Sequence, residues 1–219
     1  MATPLKLLVF DFDGTIINSK SDITTAVNLT LGDFGLPPMN SCEIQDHIGT
    51  GVRPLIESKL KAVGISDIPK VMAAFDRHYL DHLVDETRLY PGVDAALWGT
   101  DFVKVVLTNK MNKFLTPLLK ALKIADAFGG AYGRESFSTC KPDPGPLFEI
   151  ARIHGVLPAQ ILMIGDTDVD MLAGQRAGTK TCAVTYGFGH SLSLLKCNPS
   201  IVVNSPSELG KYLEEIENE

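Results

Sequence analysis

The run Leu5-Lys6-Leu7-Leu8-Val9-Phe10-Asp11-Phe12-Asp13-Gly14-Thr15 decides the fold. Its first six residues are apolar apart from Lys6 and do not alternate with polar ones. That pattern suits a strand buried on both faces of a parallel sheet. At its carboxyl end the chain turns abruptly acidic, with Asp11 and Asp13 beside a glycine.

The same grammar recurs along the chain. Phe102–Leu107 reads as a strand ending in Thr108-Asn109, and Ile161–Ile164 as one ending in Gly165-Asp166. Strands are also expected at Thr181–Val184 and Ile201–Val203. Helices are expected over roughly 112–123, from an Asp143 N-cap with Pro144 at the first helical position up to Gly155, from Asp168 to Gly178, and at the C-terminus. Alternating strands and helices predict an α/β fold, a doubly wound parallel sheet of the Rossmann-like kind.

Residues 21–88 break this rhythm. Ile23, Ala26, Val27, Thr30, Leu31 and Phe34 recur at helical spacing, as do Leu55, Ile56, Leu60 and Val63 after Pro54. Ile68, Val71, Met72, Phe75, Tyr79 and Leu83 do the same. Gly35-Leu36-Pro37-Pro38 and Gly64-Ile65-Ser66-Asp67 interrupt the helices. The division expected is an α/β core over 1–17 and 91–219, with an α-helical domain inserted at 18–90.

Composition bounds the function classes. At 219 residues, 45% hydrophobic and 21% charged, the chain is neither disordered nor fibrous. Twenty Lys+Arg against 26 Asp+Glu give a net charge of −6, with no basic stripe for a nucleic acid. The N-terminus is too short and too acidic for a signal peptide, and no apolar run is long enough to span a membrane. Cys42, Cys140, Cys182 and Cys197 are far apart and are expected to be free thiols in a reducing, cytoplasmic setting. Either a monomer or a homodimer fits.

In open parallel sheets, ligands bind outside the carboxyl ends of the strands. Asp11, Asp13, Thr108, Asn109, Asp166 and Asp170 all fall there, and Lys141 lies in the loop before a helix. Four ionised carboxylates carry −4; a divalent cation and Lys141 leave −1, and one protonated Asp brings the sum to zero. Hard oxygen ligands favour Mg2+ over zinc. A phosphate dianion becomes an acceptable guest, held by the metal, Lys141, the Thr108 hydroxyl and backbone N–H groups of the tight loop at Gly14. The pattern points to Mg2+-dependent phosphoryl transfer.

These residues resemble the four motifs of the haloacid dehalogenase superfamily: Val9-Phe10-Asp11-Phe12-Asp13-Gly14-Thr15, Leu107-Thr108-Asn109, Lys141-Pro142 and Gly165-Asp166-Thr167-Asp168-Val169-Asp170. Asp22–Asn28, Gly49-Thr50-Gly51, Thr108-Asn109-Lys110, Lys141-Pro142-Asp143-Pro144 and Asp170–Gly174 are similar to phosphoglycolate-phosphatase-like members with a small α-helical cap. Asn18 departs from the Asp common there. The resemblance implies a phosphatase acting on small phosphorylated metabolites, 2-phosphoglycolate among them. It implies Asp11 as nucleophile and metal ligand, and Asp13 as acid and then base, with its carbonyl on the metal. Thr108 and the Asn109 backbone would bind phosphoryl oxygens, and Lys141 would neutralise Asp11 and the phosphoryl group. Asp166 would bind Mg2+, supported by Asp170. Acidic neighbours are expected to favour the protonated form of Asp13.

Thr50, Gly51 and Arg53, placed in the loop that breaks the helical bundle, are the candidate cap contacts, with Arg53 suited to a second anionic group. A phosphosugar mutase would carry a His near Asp22–Thr25, where none is found. A non-catalytic phosphate-binding module would not need the intact set of acidic residues. His78 and His82 read as a solvated helix face, and Gly187-Phe188-Gly189 as a plain loop.

Overall fold

The computed structural model describes residues 4–218. In chain order the elements are β1 (Leu7–Phe10), β2 (Ile17–Asn18), α1 (Lys20–Asp33), α2 (Ser41–Gln45), α3 (Arg53–Ala62), α4 (Ile68–Asp81), β3 (Arg88–Leu89), α5 (Val93–Trp98) and β4 (Val103–Leu107). There follow α6 (Asn112–Ala121), β5 (Gly130–Tyr132), α7 (Gly145–His154), β6 (Ile161–Gly165), α8 (Asp168–Ala177), β7 (Lys180–Val184), α9 (Ser191–Lys196), β8 (Ile201–Val203) and α10 (Pro206–Glu217). The chain divides into two compact units. One takes Asn18 and the residues before it together with Leu89 onward; the other is Ser19–Arg88.

The first unit is built on one parallel sheet in the order β5-β4-β1-β6-β7-β8. Counted among these six strands alone, that is 3-2-1-4-5-6, so the winding direction reverses beside β1, between β4 and β6. Leu7, Leu8, Val9 and Phe10 are all fully buried, as an unbroken apolar run in a parallel sheet requires. The pleat sorts them. Leu7, Val9, Val105, Leu107, Ile161 and Met163 share a core with Leu147 and Ile150 of α7 and Ala173 of α8. No described helix is long and apolar enough to cross a membrane, and the four cysteines are free.

Several local outcomes differ from the sequence reading, the two-residue strands β2 and β3 among them. β5 is an added strand; Gly130-Ala131-Tyr132 has little β-propensity and pairs only with β4, at the sheet edge. The short helices α2, α5 and α9 also carried too little periodic signal to be read. The helix expected from Asp143 begins at Gly145, with Pro144 at its N-cap position. Asp143 instead closes a turn, its Oδ1 accepting from Gly145 N at 2.8 Å and Thr139 Oγ1 at 2.9 Å.

The second unit is helical. α1 and α4 bury Ile23, Val27 and Leu31 and Val71, Phe75 and Tyr79, with the Phe75 and Tyr79 rings stacked at 5.7 Å. At the ends of these helices, Asp33 accepts from His78 at 2.8 Å and Arg77 at 3.0 Å. His82 pairs with Asp85 at 2.7 Å, so both histidines are occupied on the surface. The buried Asp22 closes the unit where the chain enters and leaves it. Its carboxylate accepts from Glu86 N at 3.0 Å and Thr87 N at 2.8 Å. Replacing Asp22 with Ala strands buried N–H donors, and is expected to cost about 3 kcal/mol in urea unfolding followed by circular dichroism. Asp22→Asn, which keeps one acceptor, should cost clearly less.

Candidate active site

Parallel pairing sets the carboxyl ends of β1 and β6 side by side, with Phe10 opposite Ile164. The ladder extends one step beyond β1, Asp11 N donating to Ile164 O at 2.8 Å. Asp11 and Asp166, 155 positions apart in the chain, therefore leave neighbouring strands at the same edge. Asp170 joins them from the first turn of α8, where it completes a capping box with Thr167: its Oδ2 accepts from Thr167 N at 3.1 Å and Thr167 Oγ1 at 2.6 Å. One oxygen from each of Asp11, Asp166 and Asp170 falls within 4.8 Å of the others, and all three residues are buried.

The loop after β1 is closed tightly. Ile16 N and Ile17 N both donate to Phe12 O, and Gly14 N to Ile17 O at 2.9 Å. Gly14 has φ +84°, and a Cβ there would overlap the Asp166 carboxylate, so both backbone and space demand glycine. Thr15 Oγ1 donates to Asp166 Oδ1 at 3.1 Å. The other oxygen of Asp166 accepts from Phe188 N at 2.7 Å and Gly189 N at 3.2 Å. A Cβ at Gly187 would run into Asp166 as well. The 187–189 segment is a loop, as read, and its amides at Phe188 and Gly189 bring it into the site.

Lys141 reaches in from the loop before α7. Its Nζ lies 2.6 Å from Asp170 Oδ1 and 2.8 Å from Asp11 Oδ1. The contact with Asp11 is a buried ion pair. The Asn109 side chain fixes the loop, Nδ2 donating to Lys141 O at 3.0 Å. Thr108 is buried at the end of β4, its hydroxyl accepting from Lys110 N at 3.2 Å.

Burial and the nearby Asp170 push the Asp11 carboxyl up to about 7, against the pull of Lys141. Burial, then Asp11 and Asp170, also raise Asp166 well above the carboxylate range, despite its two backbone donors. Burial opposes the charge on Lys141, yet Asp11 and Asp170 outweigh it and raise that group. Three converging carboxylates with one ammonium leave a site deficient in positive charge. Hard oxygens converging within 4.8 Å and two raised carboxyls fit a divalent cation held by these residues.

A cation lies beside the Asp13 carboxylate: Lys110 Nζ is 3.2 Å from Asp13 Oδ2, with both side chains almost fully buried. Burial lowers Lys110 from its ordinary range, against the opposing pull of Asp13. Thr50, Gly51 and Arg53 lie in the helical unit, separate from these groups in the division of the chain. Arg53 is the first residue of α3, not part of a loop, and makes an exposed pair with Glu57 at 3.5 Å. Thr50 is exposed and donates to His47 O at 3.4 Å, and Gly51 has φ +92°. The roles of Thr15, Thr167 and the 187–189 amides were missed from sequence. The two glycines flanking Phe188 after a strand were the one available signal.

The chain matches the family described as haloacid dehalogenase-like hydrolase over residues 8–184. It is 32% identical to a phosphoglycolate phosphatase of Haemophilus influenzae (strain ATCC 51907), over 97% of this chain and all of that one. A phosphoglycolate phosphatase of Aquifex aeolicus is 33% identical, with 96% and 97% covered. The crystal structure of a predicted phosphoglycolate phosphatase from Haemophilus somnus 129pt superposes with a TM-score of 0.90 at 27% identity, covering 97% of this chain and all of that one.

A divalent cation must meet Asp11 as a carboxylate, and the free carboxyl is pushed up to about 7. Below that pH the ion displaces a proton, so apparent affinity should fall about tenfold per pH unit for each proton released. Above it, the Asp11 proton no longer contributes to the slope. Calorimetric Mg2+ titrations between pH 5.5 and 8.5, in buffers of differing ionisation enthalpy, read both the slope and the proton count.

Proposed function

This chain belongs to the haloacid dehalogenase-like hydrolases, and from that premise we propose that it is a Mg2+-dependent phosphatase of small phosphomonoesters, with 2-phosphoglycolate as the leading substrate. The observation that carries this reading is the buried trio Asp11, Asp166 and Asp170 with Lys141 between two of them. The names of the relatives support the substrate.

Asp11 is the nucleophile. Its carboxylate oxygen bonds to phosphorus as the ester P–O bond breaks, and Asp13 gives the leaving oxygen its proton. Asp13 then takes a proton from water, whose oxygen bonds to phosphorus as the Asp11 linkage breaks, releasing phosphate and restoring both carboxyls. Splitting the displacement this way replaces one difficult step with two easier ones. Lys141 offsets charge on Asp11 and the phosphoryl group. Thr108, the Asn109 backbone and amides of the Gly14 loop bind phosphoryl oxygens. Asp11, the Asp13 carbonyl, Asp166 and Asp170 would hold Mg2+, which supplies positive charge to the phosphoryl group when bound.

The helical insertion over 18–90 serves in this reading as a cap that admits substrate and excludes water once closed. Thr50, Gly51 and Arg53 are its recognition residues. The pair of Arg53 with Glu57 is exposed and screened by water, so an anionic group on a substrate can replace it. The enzyme acts as a monomer or homodimer in the cytoplasm.

Phosphate release from a panel of small phosphoesters should require Mg2+ and stop with EDTA. Asp11→Asn should lower kcat by about 10⁴-fold or more while the fold is kept. No release from any ester by a folded, metal-loaded chain would end the proposal. In the same panel, Arg53→Ala should reduce the preference for acidic over neutral esters about tenfold, equivalent to ~1.4 kcal/mol. An unchanged preference would remove Arg53 from recognition.

A further inference from the structure

Lys110 is a second buried cation at the carboxyl edge, and the chemistry above assigns it no task. Its Nζ stands 3.2 Å from Asp13 Oδ2, with side-chain exposures of 5% and 7%. Lys141 cannot substitute for it, being engaged by Asp11 and Asp170. The backbone under Lys110 is anchored on both sides: its N–H donates to Thr108 Oγ1 at 3.2 Å, and its carbonyl accepts from Arg134 N at 2.9 Å. Asp13 has a short side chain with two rotatable bonds, on a loop rather than a strand. The Lys110 ammonium therefore holds one oxygen of that carboxyl group from a backbone anchored on both sides.

We propose that Lys110 is the positioning residue for Asp13, holding its carboxyl group through Oδ2 for proton transfer in both half-reactions. This deepens the phosphatase reading and rests on it. An ammonium donates to Oδ2 whether Asp13 is a carboxylate or a carboxylic acid, so the contact survives both steps. In the first, a proton passes from the Asp13 carboxyl group to the leaving oxygen as its bond to phosphorus breaks and the Asp11 bond forms. In the second, the Asp13 carboxylate accepts a proton from the attacking water, whose oxygen bonds to phosphorus as the Asp11–phosphorus bond breaks. Lys110 neither gains nor loses a proton.

The test separates esters that need a proton on the leaving group from those that do not. Formation of the phosphoenzyme is followed in single turnover with the best alkyl phosphate of the panel and with p-nitrophenyl phosphate, whose phenolate leaves unprotonated. Lys110→Met should slow the alkyl ester about 100-fold and the nitrophenyl ester less than about fivefold, the span expected of lost general-acid assistance. Lys110→Arg, which keeps the cation, should restore the alkyl rate to within about tenfold of wild type. If Lys110→Met does not melt cooperatively, Lys110→Gln is read in its place against the same ratio. Equal losses on both esters make Lys110 a structural residue and overturn the inference, as does no loss on either. A wild-type chain that forms no Asp11-dependent phosphoenzyme overturns the phosphatase reading and this inference with it. That result is distinct from an active wild type whose variants fail to discriminate.

Discussion

Three buried carboxylates within 4.8 Å of one another repel, and much of the site is arranged around that repulsion. In a low-dielectric interior such charges are costly unless each is paired or hydrogen-bonded. Lys141 stands between Asp11 and Asp170, Thr15 and two loop amides surround Asp166, and Thr167 closes on Asp170. These partners reduce the repulsion without removing it, as the raised carboxyls of Asp11 and Asp166 record. What remains is an appetite for positive charge, which is also what a transferring phosphoryl group needs.

The sheet makes the arrangement rigid. β1 lies between β4 and β6, so three strands deliver their carboxyl ends to one edge at the reversal of winding. Apolar side chains bury both faces of β1, and the strand cannot shift register without moving its whole hydrophobic set. Asp170 depends instead on α8, whose N-terminal turn favours a carboxylate through its backbone dipole. Lys141 is brought in on a long side chain from a loop that Asn109 ties down. The glycines at 14 and 187 leave room for Asp166, where a methyl group on either would collide with it.

The helical unit answers to a different constraint. Its core follows from amphipathic α1 and α4, and Asp22 gathers the backbone where the unit ends. Its charged residues pair at the surface, Asp33 with His78 and Arg77, and Arg53 with Glu57. Such pairs contribute little to stability and are readily exchanged. Chemistry is therefore concentrated in the α/β unit, whose groups are buried, and adaptability in the helical one.

The strands β1, β4, β6 and β7, the longer helices and the aspartates at strand ends were legible because each is a local pattern: an unbroken apolar run, a 3.6-residue period, a polar residue where the run stops. Asp11, Asp166 and Lys141 could be grouped because parallel strands share a carboxyl edge. β5 could not be read, since Gly130-Ala131-Tyr132 pairs only because β4 offers a free edge. Nor could the bond from Thr15 to Asp166, across 151 positions, or the amides of Phe188 and Gly189 that hold the same carboxylate. Lys110 was legible only as the end of the Thr108-Asn109-Lys110 motif; the folded loop sets it against Asp13. The sequence by itself determined which groups reach the edge, because strand and helix signals are short-range. Which oxygen each group holds was decided by tertiary structure, because that depends on loops meeting in space.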